Sequence, residues 1–278
     1  MTIPTPAPLL DVDGLRVTYP GRGLRARPNE VLHGVSLTVG EGETLGIVGE
    51  SGSGKTTIGR AVLGLVTPSR GRIRFAGQDI THCSGTQRRA LARDIQVVFQ
   101  DPYSSLNPSL TIGDILSEPL VVQGATRRDA RTRISELLDQ VGLPADASER
   151  LPREFSGGQR QRVAIARALA PEPRLIVCDE PVSALDLSTQ ARVLDLFVDI
   201  QRRTQVAYLF ISHDLAVIRR VSHRVSVVYQ GDVVESGSAD FVTSTPEHAY
   251  TRRLLLAAPV ADPIRQRHRR QERLQLQP

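Results

Sequence analysis

Thr44-Leu45-Gly46-Ile47-Val48-Gly49-Glu50-Ser51-Gly52-Ser53-Gly54-Lys55-Thr56-Thr57 is the stretch that decides the fold. Five residues of strand character run straight into a glycine loop that fits G-x-x-x-x-G-K-[ST], and a helix is expected from Thr56 to about Leu65. The glycines at 49, 52 and 54 let backbone N–H groups converge on phosphate oxygens. The helix that follows points its positive end at the same anion. Of 35 basic side chains 34 are arginine, and the one lysine is Lys55. Arginine is a broad planar fork, whereas lysine is a compact charge on a slim stem. The chain keeps its one lysine where an ammonium must enter a tight cradle and act as a point charge on phosphate.

Outward from the loop, residues 9–18 and 31–39 read as strands of an antiparallel layer, with Ile73–Phe75 and Ile95–Phe99 as further strands. Residues 111–170 change to helical spacing, in Ile112/Ile115/Leu116, Ile134/Leu137/Leu138/Val141 and Val163/Ile165/Ala166/Leu169. Strand–helix alternation then returns: Leu175–Cys178, a helix over Ser188–Arg203, Ala207–Ile211, a helix over Asp214–Val221, Val225–Tyr229 and Val233–Glu235. This is the pattern of an α/β core with a mostly parallel sheet, an antiparallel β layer and an inserted helical subdomain. The expected domain runs over 8–260 with the helical insert at about 110–170. A helical segment from Ser244 leads into a basic tail over 261–278, expected to be disordered.

Composition bounds the function. At 278 residues and 40% apolar content, the chain can bury a core. No apolar run reaches the roughly 18–20 residues of a membrane span, and the first residues lack the blocks of a signal peptide. A cytosolic or peripherally membrane-bound protein is expected. Net charge is +5, but the arginines are scattered and no nucleic-acid-binding motif accompanies them, so no nucleic acid is expected as a partner. Cys83 and Cys178 form no metal spacing, and Cys178 reads as a small buried hydrophobe.

Three more elements carry chemistry. Leu175-Ile176-Val177-Cys178-Asp179-Glu180 is a buried strand ending in two carboxylates. Asp179 can hold Mg²⁺, and Glu180 can accept a proton from an attacking water. The Thr56 hydroxyl is placed to ligate the same ion. Phe155-Ser156-Gly157-Gly158-Gln159 opens a helix and makes a second anion-binding terminus. Two phosphate sites mean either two nucleotides or one nucleotide shared between two chains. A GTPase is excluded, because its N-K-x-D guanine reader needs a second lysine.

Residues 49–56, Gln100, 155–159, 175–180, Ser183-Ala184-Leu185-Asp186 and His213 follow the order of the ATP-binding-cassette (ABC) ATPases, and the resemblance spans about residues 9–258. It implies a head-to-tail dimer with ATP between the loop of one chain and the Ser-Gly-Gly helix of the other. Tyr19 resembles the aromatic that stacks on adenine. Lys55, Thr56 and Thr57 match the phosphate and Mg²⁺ positions, and the whole loop Gly49, Glu50, Ser51, Gly52, Ser53 and Gly54 the cradle. Gln100 matches the Q-loop glutamine that reaches Mg²⁺, water and the membrane partner. Ser156, Gly157, Gly158 and Gln159 match the signature, Asp186 the D-loop and His213 the switch histidine.

A narrower resemblance, to the dipeptide/oligopeptide importer branch, rests on Phe99-Gln100-Asp101-Pro102-Tyr103-Ser104-Ser105-Leu106-Asn107-Pro108, on Glu180-Pro181-Val182-Ser183-Ala184-Leu185-Asp186 and on His248-Ala249-Tyr250-Thr251-Arg252-Arg253-Leu254-Leu255. Ala249 stands where the branch usually has proline, and Phe155 replaces the common signature leucine. The resemblance implies an ATPase that pairs with a second, different ABC ATPase under two permeases, with a solute-binding protein outside the cell and the chain on the cytoplasmic face of the membrane. A nickel or other small-solute importer, and a carbon–phosphorus lyase type of ABC ATPase outside transport, are the alternatives. A DNA-repair or translation ATPase would carry a second cassette or a long coiled-coil insertion. Some of the branch's other ATPases carry a cysteine cluster near their C-terminus; this chain has none, so no iron–sulfur site is expected.

The tail with Arg265, Arg267, Arg269, Arg270 and Arg273 lies beyond every motif. Deleting the residues after Pro263 is expected to leave the rate of ATP hydrolysis unchanged. A large fall in rate at unchanged folding would contradict this.

Overall fold

The computed structural model describes residues 7–21, 27–101 and 105–257. The expected tail at 261–278 and Pro102-Tyr103-Ser104 of the Q-loop segment lie outside the described residues. The chain divides into two compact units, one of residues up to His82 and from Leu209 onward, the other of Cys83–Tyr208.

The first unit holds a four-stranded sheet in the order β2-β1-β4-β5, built from β1 (Leu10–Tyr19), β2 (Asn29–Val39), β4 (Arg70–Phe75) and β5 (Gln78–Asp79). All its pairs are antiparallel, with Leu10 opposite Val39 and opposite Phe75. Strict alternation cannot bury its apolar residues, since Leu10 and Val12 are even-numbered while Leu15 and Val17 are odd. A register shift between Val12 and Leu15 resolves the conflict. The inserted residue flips the parity, so all four side chains reach the core at 2% exposure or less. Gly14 sits in the shift at φ +58, where a glycine carries no Cβ penalty.

The same unit carries β3 (Thr44–Val48), buried at every residue. It pairs in parallel with β9 (Arg224–Tyr229), and β9 pairs antiparallel with β10 (Asp232–Ser238). With β8 (Ala207–Ser212), the order is β10-β9-β3-β8. Helix α1 (Lys55–Val62) follows β3, and α7 (Leu215–Val221), α8 (Ala239–Ser244) and α9 (Ala249–Ala257) complete the unit.

The second unit carries β6 (Ile95–Val98) in parallel register with β7 (Leu175–Asp179). Its helices are α2 (Gly85–Leu91), α3 (Ile112–Val122), α4 (Arg127–Gln140), α5 (Gly157–Leu169) and α6 (Leu187–Thr204), with two 3₁₀ turns before α5. The stripes Ile112/Ile115/Leu116/Leu120 and Ala130/Ile134/Leu137/Leu138 are the buried faces of α3 and α4. Side-chain oxygens of Thr111, Thr126 and Ser156 cap α3, α4 and α5, each satisfying a backbone donor that the helix leaves open.

The α/β class and the mixed sheet agree with the sequence reading. Three short elements, β5, α2 and α8, escaped it. Helix α2 buries no residue, so it shows no apolar period, and α8 is too short to show one. Helix α1 starts at Lys55 and ends at Val62, short of the expected Leu65, because Gly64 takes a left-handed turn at φ +72.

In the second unit, Phe197 of α6 meets Tyr208 edge-on, with ring centroids 5.5 Å apart at 89° and both rings 1% exposed. Phe197→Ala is expected to lower unfolding free energy by about 3–5 kcal/mol, measured by urea denaturation followed by circular dichroism. A loss under about 1 kcal/mol would show that the site collapses to fill the cavity.

Candidate functional site

In the first unit, buried strand β3 delivers the chain to the glycine loop. Gly54 closes the loop at φ +107 as the N-cap of α1. A Cβ there would stand 2.7 Å from Leu32 Cδ2, and the left-handed backbone angle favours glycine. Lys55 is 4% exposed, and its Nζ donates to the carbonyls of Gly49 and Glu50, each at 2.7 Å. Ser53 is also 4% exposed, and its buried Oγ has no hydrogen-bond partner. An ammonium and an unpartnered hydroxyl at the N-terminal end of a helix, on one short loop, fit a phosphate group. Thr56 is half-buried beside them, and Glu50, Ser51 and Gly52 face solvent. The hydroxyl of half-buried Tyr19 lies 3.5 Å from Thr57 Oγ1. His213 follows the end of β8 and is exposed, next to Asp214, which caps α7.

The second unit carries the other candidates. Gln100 is exposed just beyond β6. Asp179 ends β7, and Glu180 turns the chain at φ +50. Left-handed backbone is uncommon for a residue with a side chain and tends to collect at functional sites. The turn is held by Ser183, whose N–H and Oγ–H both donate to the Glu180 carbonyl at 3.3 and 3.1 Å.

Ser156 and Gln159 form a capping box. The Gln159 N–H donates to Ser156 Oγ at 3.3 Å, and the Ser156 N–H donates to Gln159 Oε1 at 2.9 Å. The box fixes the first turn of α5 and leaves the Ser156 hydroxyl proton free to donate outward. A recess of about 370 Å³ opens there, lined by Ser156, Gly158, Gln159, Arg162, Thr189 and Arg192 among others. Two arginines beside a helix N-terminus suit an anion.

Asp186 caps α6. Its Oδ1 accepts from Ser188 Oγ at 2.7 Å and from the N–H groups of Ser188 and Thr189 at 3.1 and 3.0 Å. These bonds, the Ser188 hydroxyl first, hold its carboxyl far below the ordinary carboxylate range. The cap is therefore present at neutral pH and is lost only in strong acid, as pH falls through the depressed value.

Two supports were not legible as site residues. Tyr250 Oη accepts the Glu50 N–H at 2.8 Å, across 200 positions of sequence. Thr189 packs so closely on Gly158 that a Cβ at 158 would overlap Thr189 Cγ2, while Thr189 Cβ and Oγ1 lie at 3.7 and 4.0 Å from that point. Only the methyl obstructs. Gly158→Ala is expected to lower Tm by several degrees, as overpacking typically costs about 1–3 kcal/mol. Adding Thr189→Ser should recover most of the loss. A melting scan that finds no recovery in the double variant would refute the contact.

Comparison with known proteins places these elements in a family. The family model for ABC transporters matches residues 32–183. The chain is 50% identical over 270 residues to the glutathione import ATP-binding protein GsiA of Pectobacterium atrosepticum, and 52% identical over 268 residues to GsiA of Shigella flexneri serotype 5b. Each alignment covers 95% of this chain and 43% of the relative, so the chain spans less than half the length of these relatives. Among solved structures, cbiO1 of Clostridium perfringens, part of the ABC transporter complex cbiONQ, superposes with a TM-score of 0.77 at 27% identity, covering 89% of this chain and 95% of that one. The ATP-binding cassette MJ0796, in a dimeric post-hydrolysis state bound to ADP and Pi, gives 0.73 at 27%, covering 83% and 98%. The chain therefore belongs to the ABC transporter family.

Proposed function

We propose that this chain powers import of small peptides, with ATP binding closing a nucleotide-sandwich dimer and hydrolysis reopening it. The observation that carries the reading is the pair of differently built anion sites in one chain: the loop around Lys55, and the Ser156–Gly158 helix start with Arg162 and Arg192 beside it. A head-to-tail dimer uses both, one from each chain. The GsiA relatives are named for glutathione import, and glutathione is a small peptide. That supports the peptide class over a nickel importer or a carbon–phosphorus lyase type of complex.

The roles combine the chemistry of these groups with what the family resemblance implies. Lys55 and the loop N–H groups hold the β- and γ-phosphates. Thr56 in the first unit, and Asp179 and Gln100 in the second, are the oxygen donors that the family resemblance implies for Mg²⁺. Glu180 accepts the proton of the attacking water. His213 and Ser156 donate to the γ-phosphate, Asp186 orders the loop at the dimer seam, and Tyr19 stacks on adenine. Among the described residues no helix is long and apolar enough to cross a membrane. The translocation path is assigned to two permease subunits, with this chain at the cytoplasmic face beside a second, different ATPase and with a solute-binding protein outside.

Glu180→Gln is expected to keep ATP binding and to lower turnover about 10²–10⁴-fold, because the carboxamide cannot take the proton. Near-normal steady-state hydrolysis in the purified variant would remove Glu180 from the base role. The partner assignment is checked by co-expression with candidate permeases and a second ATPase. A homodimer fully active alone and unchanged by their addition would overturn it.

A further inference from the structure

We infer that Tyr250 is a positioning residue for Lys55, acting through the Gly49–Glu50 peptide group. That peptide is gripped at both ends: its carbonyl, Gly49 O, accepts the Lys55 ammonium at 2.7 Å, and its N–H, on Glu50, donates to Tyr250 Oη at 2.8 Å. The described peptide bonds are all trans, so C=O and N–H point in opposite directions from one rigid plane. Fixing the N–H fixes the carbonyl. If the plane rotates about its flanking bonds, Gly49 O leaves the ammonium and that bond to Lys55 is lost.

Tyr250 is itself held firmly. It is 2% exposed, and its ring lies against Tyr229, the last residue of β9, with centroids 4.1 Å apart at 34°. The Glu235 carboxylate of β10 anchors the chain entering α9, with Oε1 accepting the Glu247 N–H at 2.8 Å and Oε2 the His248 N–H at 3.1 Å. The Tyr250 N–H donates to His248 Nδ1 at 3.2 Å. A second support reaches the loop from the same hairpin, where the Gly231 N–H donates to Ser53 O at 3.0 Å. Burial pushes the Tyr250 phenol up, so it stays a neutral hydroxyl at working pH. The hairpin β9–β10 and α9 thus form a brace whose tip is one hydroxyl oxygen on the phosphate loop. This assigns a purpose to the tyrosine of the C-terminal His248-Ala249-Tyr250 segment that ring packing alone does not need.

The inference rests on the reading of Lys55 as the phosphate contact, and the two can be tested apart. Because Lys55 is the one lysine, an amine-reactive reagent can modify only Lys55 and the N-terminus, resolved by peptide mapping with the N-terminus as internal reference. In the intact chain without nucleotide, Lys55 should label slowly, since it is 4% exposed and doubly bonded. Tyr250→Phe keeps the ring and removes the acceptor. It is expected to speed Lys55 labelling and to weaken ATP binding, each about three- to tenfold, the weight of one hydrogen bond. Alkylation of fully buried Cys178 in the second unit reports general opening and should not change. Lys55 labelling equal to wild type, or a rise matched by Cys178, would overturn the inference. Failure of Mg-ATP to protect Lys55 in the wild-type chain would instead overturn the phosphate reading and leave the Tyr250–Lys55 link measurable.

Discussion

A buried ammonium held by two backbone carbonyls is the constraint around which the phosphate loop is built. Lys55 has 4% of its surface exposed, and a charge taken out of water must be met by hydrogen bonds. The carbonyls of Gly49 and Glu50 meet it, which dictates how the loop curls. That curl needs a left-handed residue at 54, and it turns the Glu50 N–H away from the ammonium and toward Tyr250. Strand β3, sealed on both faces, gives the loop a rigid start. The choice of lysine in a chain otherwise committed to arginine suits the same constraint, because an ammonium is a compact charge and a guanidinium a broad planar fork.

The second unit works by another device. Its candidate residues sit at the ends of helices and strands. Ser156 and Asp186 are both helix caps as well as candidate contacts. Their geometry is fixed before any ligand arrives, which is what preorganisation requires. The left-handed turn at Glu180 belongs to the same economy: strain at one residue is held by two bonds from Ser183.

Much of this was legible in the sequence, because the informative signals are local. The loop, the Ser-Gly-Gly helix start and the Asp179-Glu180 strand end are contiguous, and their spacing alone predicts which backbone groups converge. The helical stripes of α3 and α4 follow from period. Elements without a buried face, such as α2, leave no such trace. In β1 the even-to-odd switch between Val12 and Leu15 is visible as a flaw in alternation, but only the pairing with β2 shows that a bulge absorbs it.

The sequence by itself determined the α/β class and the family, and it nominated the residues proposed to meet nucleotide, since each motif depends on neighbours within a few positions of one another. Only the tertiary structure decided what holds those residues in place. Tyr250 and Glu50 are 200 positions apart, and Thr189 meets Gly158 from a different helix. Such contacts arise when sheets and helices pack, and packing joins residues by shape and direction, which no spacing along the chain records.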